Sequence, residues 1–265
     1  WDALYQTNYG SYDVIHNANG IAGNDVAGLR SHYVVEERII NTTKYNFNST
    51  LNSTITENII FTAGLTYQSQ KNHYYKKLDD LLGGDFYVDI NQFGERDFPT
   101  NPDAGQNDLN NPNRIVKVGD KLGYNYNLSI SKGSVWMQGV FKFRKVDVFV
   151  ATEHSYTSFF RYGNVRSGLF PNDSYGKSAT YNFYNSSIKG GVTYKINGRN
   201  YVFANGSYGS RAPYFENAFI APRTRDFVQD NLKSEEVLST EVGYVMNAPK
   251  LKIRLNGYYT QFKNQ

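Results

Sequence analysis

Apolar and polar residues alternate along this chain with a period of two. From Tyr45 the odd positions carry Tyr45, Phe47, Ser49, Leu51, Ser53 and Ile55, while the even ones carry Asn46, Asn48, Thr50, Asn52, Thr54 and Thr56. From Leu122 one face holds Leu122, Tyr124, Tyr126, Leu128 and Ile130, and the other holds Gly123, Asn125, Asn127, Ser129 and Ser131. Near the end, Leu251, Ile253, Leu255 and Tyr259 alternate with Lys252, Arg254, Asn256 and Thr260. Successive side chains on a strand point to opposite faces, so each run predicts a strand with one apolar and one polar face. Helical periodicity is nearly absent.

Ten strands are expected, at 29–40, 44–56, 59–71, 121–131, 135–143, 146–156, 184–196, 200–210, 237–247 and 250–262. Most run about ten residues, longer than the five or six usual in soluble sheets and close to what a tilted strand needs to cross a bilayer. Asn197-Gly198-Arg199, Lys132-Gly133-Ser134 and Ala248-Pro249-Lys250 read as tight turns. Long connections occupy 72–120, 157–183 and 211–236. Tight turns alternating with long loops are the pattern of an antiparallel up-and-down transmembrane β-barrel. One conflict stands: long loops on the same side need an even number of strands between them, and this reading puts three between the first two. Either one strand is false, or 72–120 hides another at "FYVDI" or "RIVKV".

Mean hydropathy is −0.58, which on its own suggests a soluble protein, but a barrel alternates and keeps a low average. No run of 18 apolar residues exists, so no transmembrane helix is expected. Aromatic residues make up 16% of the 265 positions, and the polar faces are Asn, Ser, Thr and Gly, which suits a water-filled lumen. A secreted β-sandwich or β-solenoid, acting as a binding module, is the bland alternative. The net charge of +4 comes without a Lys/Arg cluster, so nucleic acid is not an expected partner. The chain begins "WDALYQTNYG" and stops inside a strand, so an internal piece of a longer protein is expected.

Candidate chemistry is sparse. Cysteine is absent, and His16, His32, His73 and His154 have no second ligand three or four residues away, so neither metal nor cofactor is expected. The acids from Asp79 to Asp108 match no calcium-loop spacing and read as a solvated acidic loop. Gly83-Gly84 is a turn, because no helix follows it to cradle a phosphate. No Gly-x-Ser-x-Gly elbow occurs, and Glu36-Glu37 and Glu235-Glu236 point to opposite faces, so the chain does not read as an enzyme.

The strand "YVFANGSYGS" runs into Arg211-Ala212-Pro213, and Pro213 cannot donate to a ladder. Asn231-Leu232 with Glu235, then Glu241 to Tyr244, then Tyr258-Tyr259-Thr260 follow in order. This succession over 184–263 resembles the barrel of TonB-dependent receptors, particularly those of the Bacteroidota; "LDDLLGGDFYVD" is similar to a loop of the same family. The resemblance implies part of a 22-stranded barrel in the Gram-negative outer membrane, with a plug domain and TonB box elsewhere. It implies a receptor that binds a small molecule, glycan or peptide at the surface and imports it with energy from TonB–ExbB–ExbD. A surface lipoprotein is a further possible partner, and a non-transporting scaffold is the alternative role.

On that reading Arg211, Tyr214, Phe215, Asn217, Arg223 and Arg225 are the candidates to face substrate or plug. Arg211 is expected toward the lumen, and Tyr214 and Phe215 in an aromatic girdle near the interface. Leu122, Tyr124, Tyr126, Leu128 and Ile130 are expected against lipid, with Asn125, Asn127 and Ser129 toward the lumen. The 72–120 connection, with its aliphatic and aromatic "LLGGDFYVDINQF", is expected to fold on itself.

Overall fold

A computed structural model describes residues 1–264 of the chain. The first part runs α1 (Asp2–Tyr9), β1 (Tyr12–Ile15), β2 (Val26–Ser31), β3 (Val35–Thr56), β4 (Ile59–Asp80), β5 (Phe86–Val88), α2 (Gln92–Asp97) and β6 (Ile115–Val116). It continues with β7 (Lys121–Lys142), β8 (Val146–Gly163), β9 (Gly176–Lys177), β10 (Tyr181–Lys195), β11 (Asn200–Arg211), α3 (Phe215–Ala218), β12 (Glu235–Ala248) and β13 (Leu251–Lys263). The long strands form one antiparallel meander, β3-β4-β7-β8-β10-β11-β12-β13, with β9 paired to the end of β8. A second, small sheet of order β1-β2-β5-β6 lies outside it.

The parity conflict disappears because Lys132-Gly133-Ser134 is not a turn. β7 runs unbroken through Gly133, which pairs with Tyr67 on one side and Tyr156 on the other. Only β7 and β8 then separate the first two long connections, so all long connections leave one edge of the sheet and all short turns the other. Likewise β3 absorbs Asn41-Thr42-Thr43 and runs 22 residues, while the piece expected from 29 belongs to β2. "FYVDI" and "RIVKV" do contain strands, β5 and β6, but these belong to the small sheet. The strands also outrun their expected ends: β4 reaches Asp80 and β8 reaches Gly163.

Directly opposed residues share a face in an antiparallel sheet, and following the register across the meander sorts every side chain. Phe47, Tyr67, Gly133, Tyr156 and Tyr184 fall on one cross-strand row. Toward the short turns this face carries exposed Leu65, Val135, Met137, Val150, Ile188, Val192 and Val242. Tyr184 and Tyr194 mark its ends on β10, ten residues apart. At about 3.4 Å per residue and a tilt of about 45°, that distance is about 24 Å, close to the roughly 25 Å apolar band of outer-membrane barrels. The opposite face over the same rows is mostly polar, with Thr66, Gln138, Ser134, Glu153, Ser155, Ser187, Asn205 and Glu241, and carries Trp136, Phe149 and Phe203 beside the glycines Gly64, Gly191 and Gly243.

Beyond the aromatic row the pattern inverts. On β7 the band face continues as Ser131, Ser129, Asn127 and Asn125, while the opposite face becomes Ile130, Leu128, Tyr126 and Tyr124. These apolar residues therefore share a face with Lys132 and Ser134, not with Val135 and Met137. Tyr126 is 3% exposed and Leu128 1%, buried under the chain's own Phe215, Ala218 and Phe219. The expectation that they meet lipid is corrected: β7 is 22 residues long, and only its lower half lies in the exposed band.

Candidate functional site

Four segments at the long-loop edge, 1–34, 81–120, 164–180 and 212–234, fold together into a cap. The first two are joined by β2 pairing parallel to β5 and by the buried amide of Asn8. That amide donates to the carbonyls of Tyr33 (2.8 Å), Leu81 (2.9 Å) and Leu82 (3.2 Å) and accepts the N–H groups of His32 (2.9 Å) and Tyr33 (3.2 Å). The second and third segments meet where Leu109 N–H donates to the Arg166 carbonyl at 2.7 Å. Gly168 permits that approach, since a Cβ there would lie 1.6 Å from the Asp103 carbonyl oxygen.

The third and fourth segments are tied by Arg161, the largest fully buried side chain. It sits near the end of β8, donates from Nε to the Pro222 carbonyl (2.7 Å) and from Nη1 to the Ser174 carbonyl (2.9 Å), and lies over the Tyr126 ring. Asp226 reinforces the join, its N–H donating to the Asp173 carbonyl at 2.7 Å, and burial pushes its carboxyl above the ordinary range. Within 81–120, the buried Asp89 accepts from Gly123 N–H (2.7 Å) and Asn107 Nδ2 (2.8 Å), with Arg114 at 3.4 Å. Burial outweighs these contacts and raises its carboxyl as well. Other acids of that segment serve locally: Asp85 accepts Leu29 N–H, Asp80 accepts Leu82 N–H, and Asp97 holds Arg96.

The segment 212–234 lies across the inner side of β7, β8 and β10. Phe215, Ala218 and Phe219 pack on Tyr126, Leu128, Phe159 and Phe183, with Phe159 and Phe183 stacked at 5.6 Å. Glu216 accepts from Tyr74 Oη at 2.5 Å and Asn72 Nδ2 at 3.2 Å. This packing divides one face of β7 into three zones. Tyr124 opens on an upper cavity of about 530 Å³. Tyr126 and Leu128 are covered. Ile130 and Lys132 open on a lower cavity of about 460 Å³. The lower one also exposes Glu153 and Asn185, and the Asn185 amide is 4% exposed with neither of its polar atoms hydrogen-bonded.

The whole sequence has a counterpart among known families: residues 1–265 match the TonB dependent receptor-like β-barrel. The chain belongs to that family. Its members are receptors of the outer membrane rather than enzymes, and this chain is accordingly part of an outer-membrane β-barrel. No curated protein matches the sequence. Among solved structures, the chain resembles the copper transporter OprC with a TM-score of 0.57 at 10% identity, over 85% of this chain and 32% of that one. It resembles the ferric citrate transporter FecA, in its unliganded form, with a TM-score of 0.57 at 9% identity, over 91% of this chain and 30% of that one. These likenesses concern the fold, and the chain spans about a third of either transporter.

In a receptor barrel the apolar band is the outer surface and the polar face lines the lumen. The upper cavity is then at the mouth and the lower one in the lumen. The six residues singled out in the sequence are not brought to one place. Arg211 ends β11 on the polar face of the sheet, with its guanidinium bound to Glu235 on the neighbouring strand and lying over the Tyr214 ring. Tyr214 and Asn217 are exposed and line lumenal hollows. Phe215 is not in a girdle: it is 9% exposed inside the aromatic core, because α3 folds back under the cap instead of continuing to the interface. Arg223 reaches the mouth cavity, over the Tyr124 ring at 5.3 Å. Arg225 is held between Phe170 and Phe227, each at 4.7 Å. Sequence reasoning missed Arg161, Lys76 and Arg38. The signal for Arg161 was present as a lone cation in the alternating run "SFFRYG", but that run was read as loop.

Proposed function

We propose that this chain forms wall, mouth and gate of an importer that captures a nutrient at the cell surface and passes it inward with energy delivered through TonB–ExbB–ExbD. The apolar band would meet outer-membrane lipid, and the interlocked cap would present the capture surface, alone or with a surface lipoprotein. One observation carries the reading: segment 212–234 stands between the mouth cavity and the lumenal cavity. Along this stretch of wall, Phe215 and Phe219 packed on β7 and β8 lie between Tyr124 and Lys132, so a solute moving inward along it meets them. A packed aromatic plug of this size will not open by itself often, because each large side chain contributes about 1.5–3 kcal/mol of burial. Coupled energy is the natural source of the displacement.

Arg211, Tyr214 and Asn217 would then meet solute, or a plug domain, on the lumenal side after Arg223 has met it at the mouth. The test is uptake in cells carrying the full-length protein with cysteines introduced at Ala218 and Leu128, which share the aromatic core. Uptake should stop under a protonophore, stop when the two cysteines are oxidised, and return on reduction. Uptake that continues with the segment stapled to β7 removes it from the path, and uptake indifferent to the protonophore removes the energy coupling.

A further inference from the structure

The mouth cavity carries an unbalanced charge. Arg38, Lys76, Arg161 and Arg223 line it, against the single carboxylate of Glu36, a formal surplus of three (four minus one). Glu36 is already engaged, with Lys76 Nζ at 2.7 Å and Arg38 Nε at 3.3 Å. Among the described residues, Arg161 and Arg223 have no carboxylate within ion-pair distance. Arg161 is the more telling of the two, since it is 1% exposed and its guanidinium has only carbonyl oxygens for partners. Asp226 acts on it only through space, beyond ion-pair distance, and a buried cation with no carboxylate in contact is costly unless something anionic reaches it. The imbalance is local. In the lumenal cavity Lys132 and Arg211 stand against Glu153, and Arg211 is matched by Glu235.

The cations are also held in place. Lys76 and Arg223 both sit over the Tyr124 ring, at 5.6 and 5.3 Å, and Arg161 over the Tyr126 ring at 5.1 Å. Contacts to aromatic faces orient these groups without neutralising them. A guanidinium kept in one orientation offers paired N–H donors suited to a carboxylate or phosphate.

We infer that the mouth cavity binds a small soluble ligand carrying two or more carboxylate or phosphate groups. This deepens the import reading by naming the charge class of the solute, and it rests on that reading only for the ligand's later fate. The cavity, at about 530 Å³, suits a small molecule rather than a polymer. Arg223 and Arg38, the exposed pair, make first contact; Lys76 and Arg161 hold the ligand deeper, against the tyrosines.

The experiment is calorimetric titration of the purified full-length protein in detergent, at about 50 mM salt, with inorganic pyrophosphate and tricarballylate as probes. Maltotriose is the uncharged control, and Arg96→Gln is the charge control, since Arg96 lies on α2 outside the cavity. One or both anions should bind. Arg223→Gln and Arg38→Gln should each weaken binding about tenfold, and raising salt to about 300 mM should weaken it further. Arg96→Gln should leave it unchanged. The inference is overturned if neither anion binds, if maltotriose binds as well as the anions, or if Arg96→Gln weakens binding as much as Arg223→Gln. Both mouth variants alter exposed side chains, and detergent-resistant barrel migration on a gel reports whether they fold. Because binding is read directly, anion binding without gradient-driven uptake would fail the import reading alone. Gradient-driven uptake without anion binding would fail this inference alone.

Discussion

The two halves of β7 obey the same alternation and mean opposite things. From Ser134 to Lys142 the exposed band face holds Val135, Met137 and Phe141, and the lumenal face mixes Ser134 and Gln138 with Trp136 and Val140. From Leu122 to Lys132 the band face holds Asn125, Asn127, Ser129 and Ser131, and the lumenal face holds Tyr124, Tyr126, Leu128 and Ile130. The strand does not twist over between them, since its pairing with β4 stays in register from Phe141 down to Asn125. What changes is the solvent on each side. In the lower half, Val135, Met137 and Phe141 lie in the outer band, and on the lumenal side Trp136 lies over Gly64 of β4. In the upper half, water lies outside and the cap lies inside, so the apolar side chains turn inward to pack on α3. Hydrophobicity reports burial, and it does not by itself say whether lipid or protein does the burying.

The largest effect expected from this contrast is in the upper half. Phe159 is wholly buried between Phe183 and Phe219. Phe159→Ala should cost the cap about 3–5 kcal/mol of local stability, by the usual loss for a buried aromatic. Hydrogen exchange should show amides of 212–234 opening while those of β7 below Gly133 keep their protection. Uniform loss across both halves would mean that cap and barrel are one cooperative unit.

The next effect belongs to the lower half. Met137 lies near the middle of the exposed band, and Met137→Arg should reduce barrel stability by about 2–4 kcal/mol. Ser129→Arg, on the same face but above the aromatic row, should cost well under 1 kcal/mol, as surface changes usually do. Equal costs at the two positions would erase the boundary at Gly133.

This contrast also explains how much of the molecule was legible in its sequence. The strand-rich pattern, the meander and the family were readable, because alternation and the Arg211-to-Thr260 succession need no knowledge of neighbours, whereas several strand ends were not. The face assignment on β7 was not, because it depends on Phe215 and Phe219, about ninety residues away. Gly133 was taken for a turn because a glycine between Lys132 and Ser134 carries turn chemistry; its place in an aromatic row is visible only once β4 and β8 flank it. Three of the mouth cations were missed for the same reason: Arg38, Lys76 and Arg161 are scattered in sequence and gathered beside Arg223 only by the cap. Arg223 was found because it lies in a loop whose position the family succession indicated.

A smaller effect separates the cap from the barrel by pH. Burial holds the Asp89 and Asp226 carboxyls above their ordinary range, so the folded cap keeps protons that the unfolded chain has released. Their contribution is full below about pH 4 and is lost as pH rises through the raised values. Amides around Asp89 and Asp226 should therefore exchange faster at neutral than at mildly acidic pH, after correction for intrinsic rates. Band-face strands should show no such trend; a cap that tightens as pH rises would reverse the assignment.

The most direct test of the inversion uses the chain's lack of cysteine. Single cysteines placed along β7 at Met137, Val135, Ser131, Ser129, Leu128 and Tyr126 can be labelled on intact cells with a membrane-impermeant maleimide. The inverted pattern predicts that Ser131 and Ser129 label rapidly, while Met137 and Val135 stay protected until the membrane is dissolved. Leu128 and Tyr126 should stay protected even then, and label only when the cap is unfolded. Rapid labelling of Leu128 and Tyr126 in detergent, with Ser129 and Ser131 protected throughout, would contradict the account.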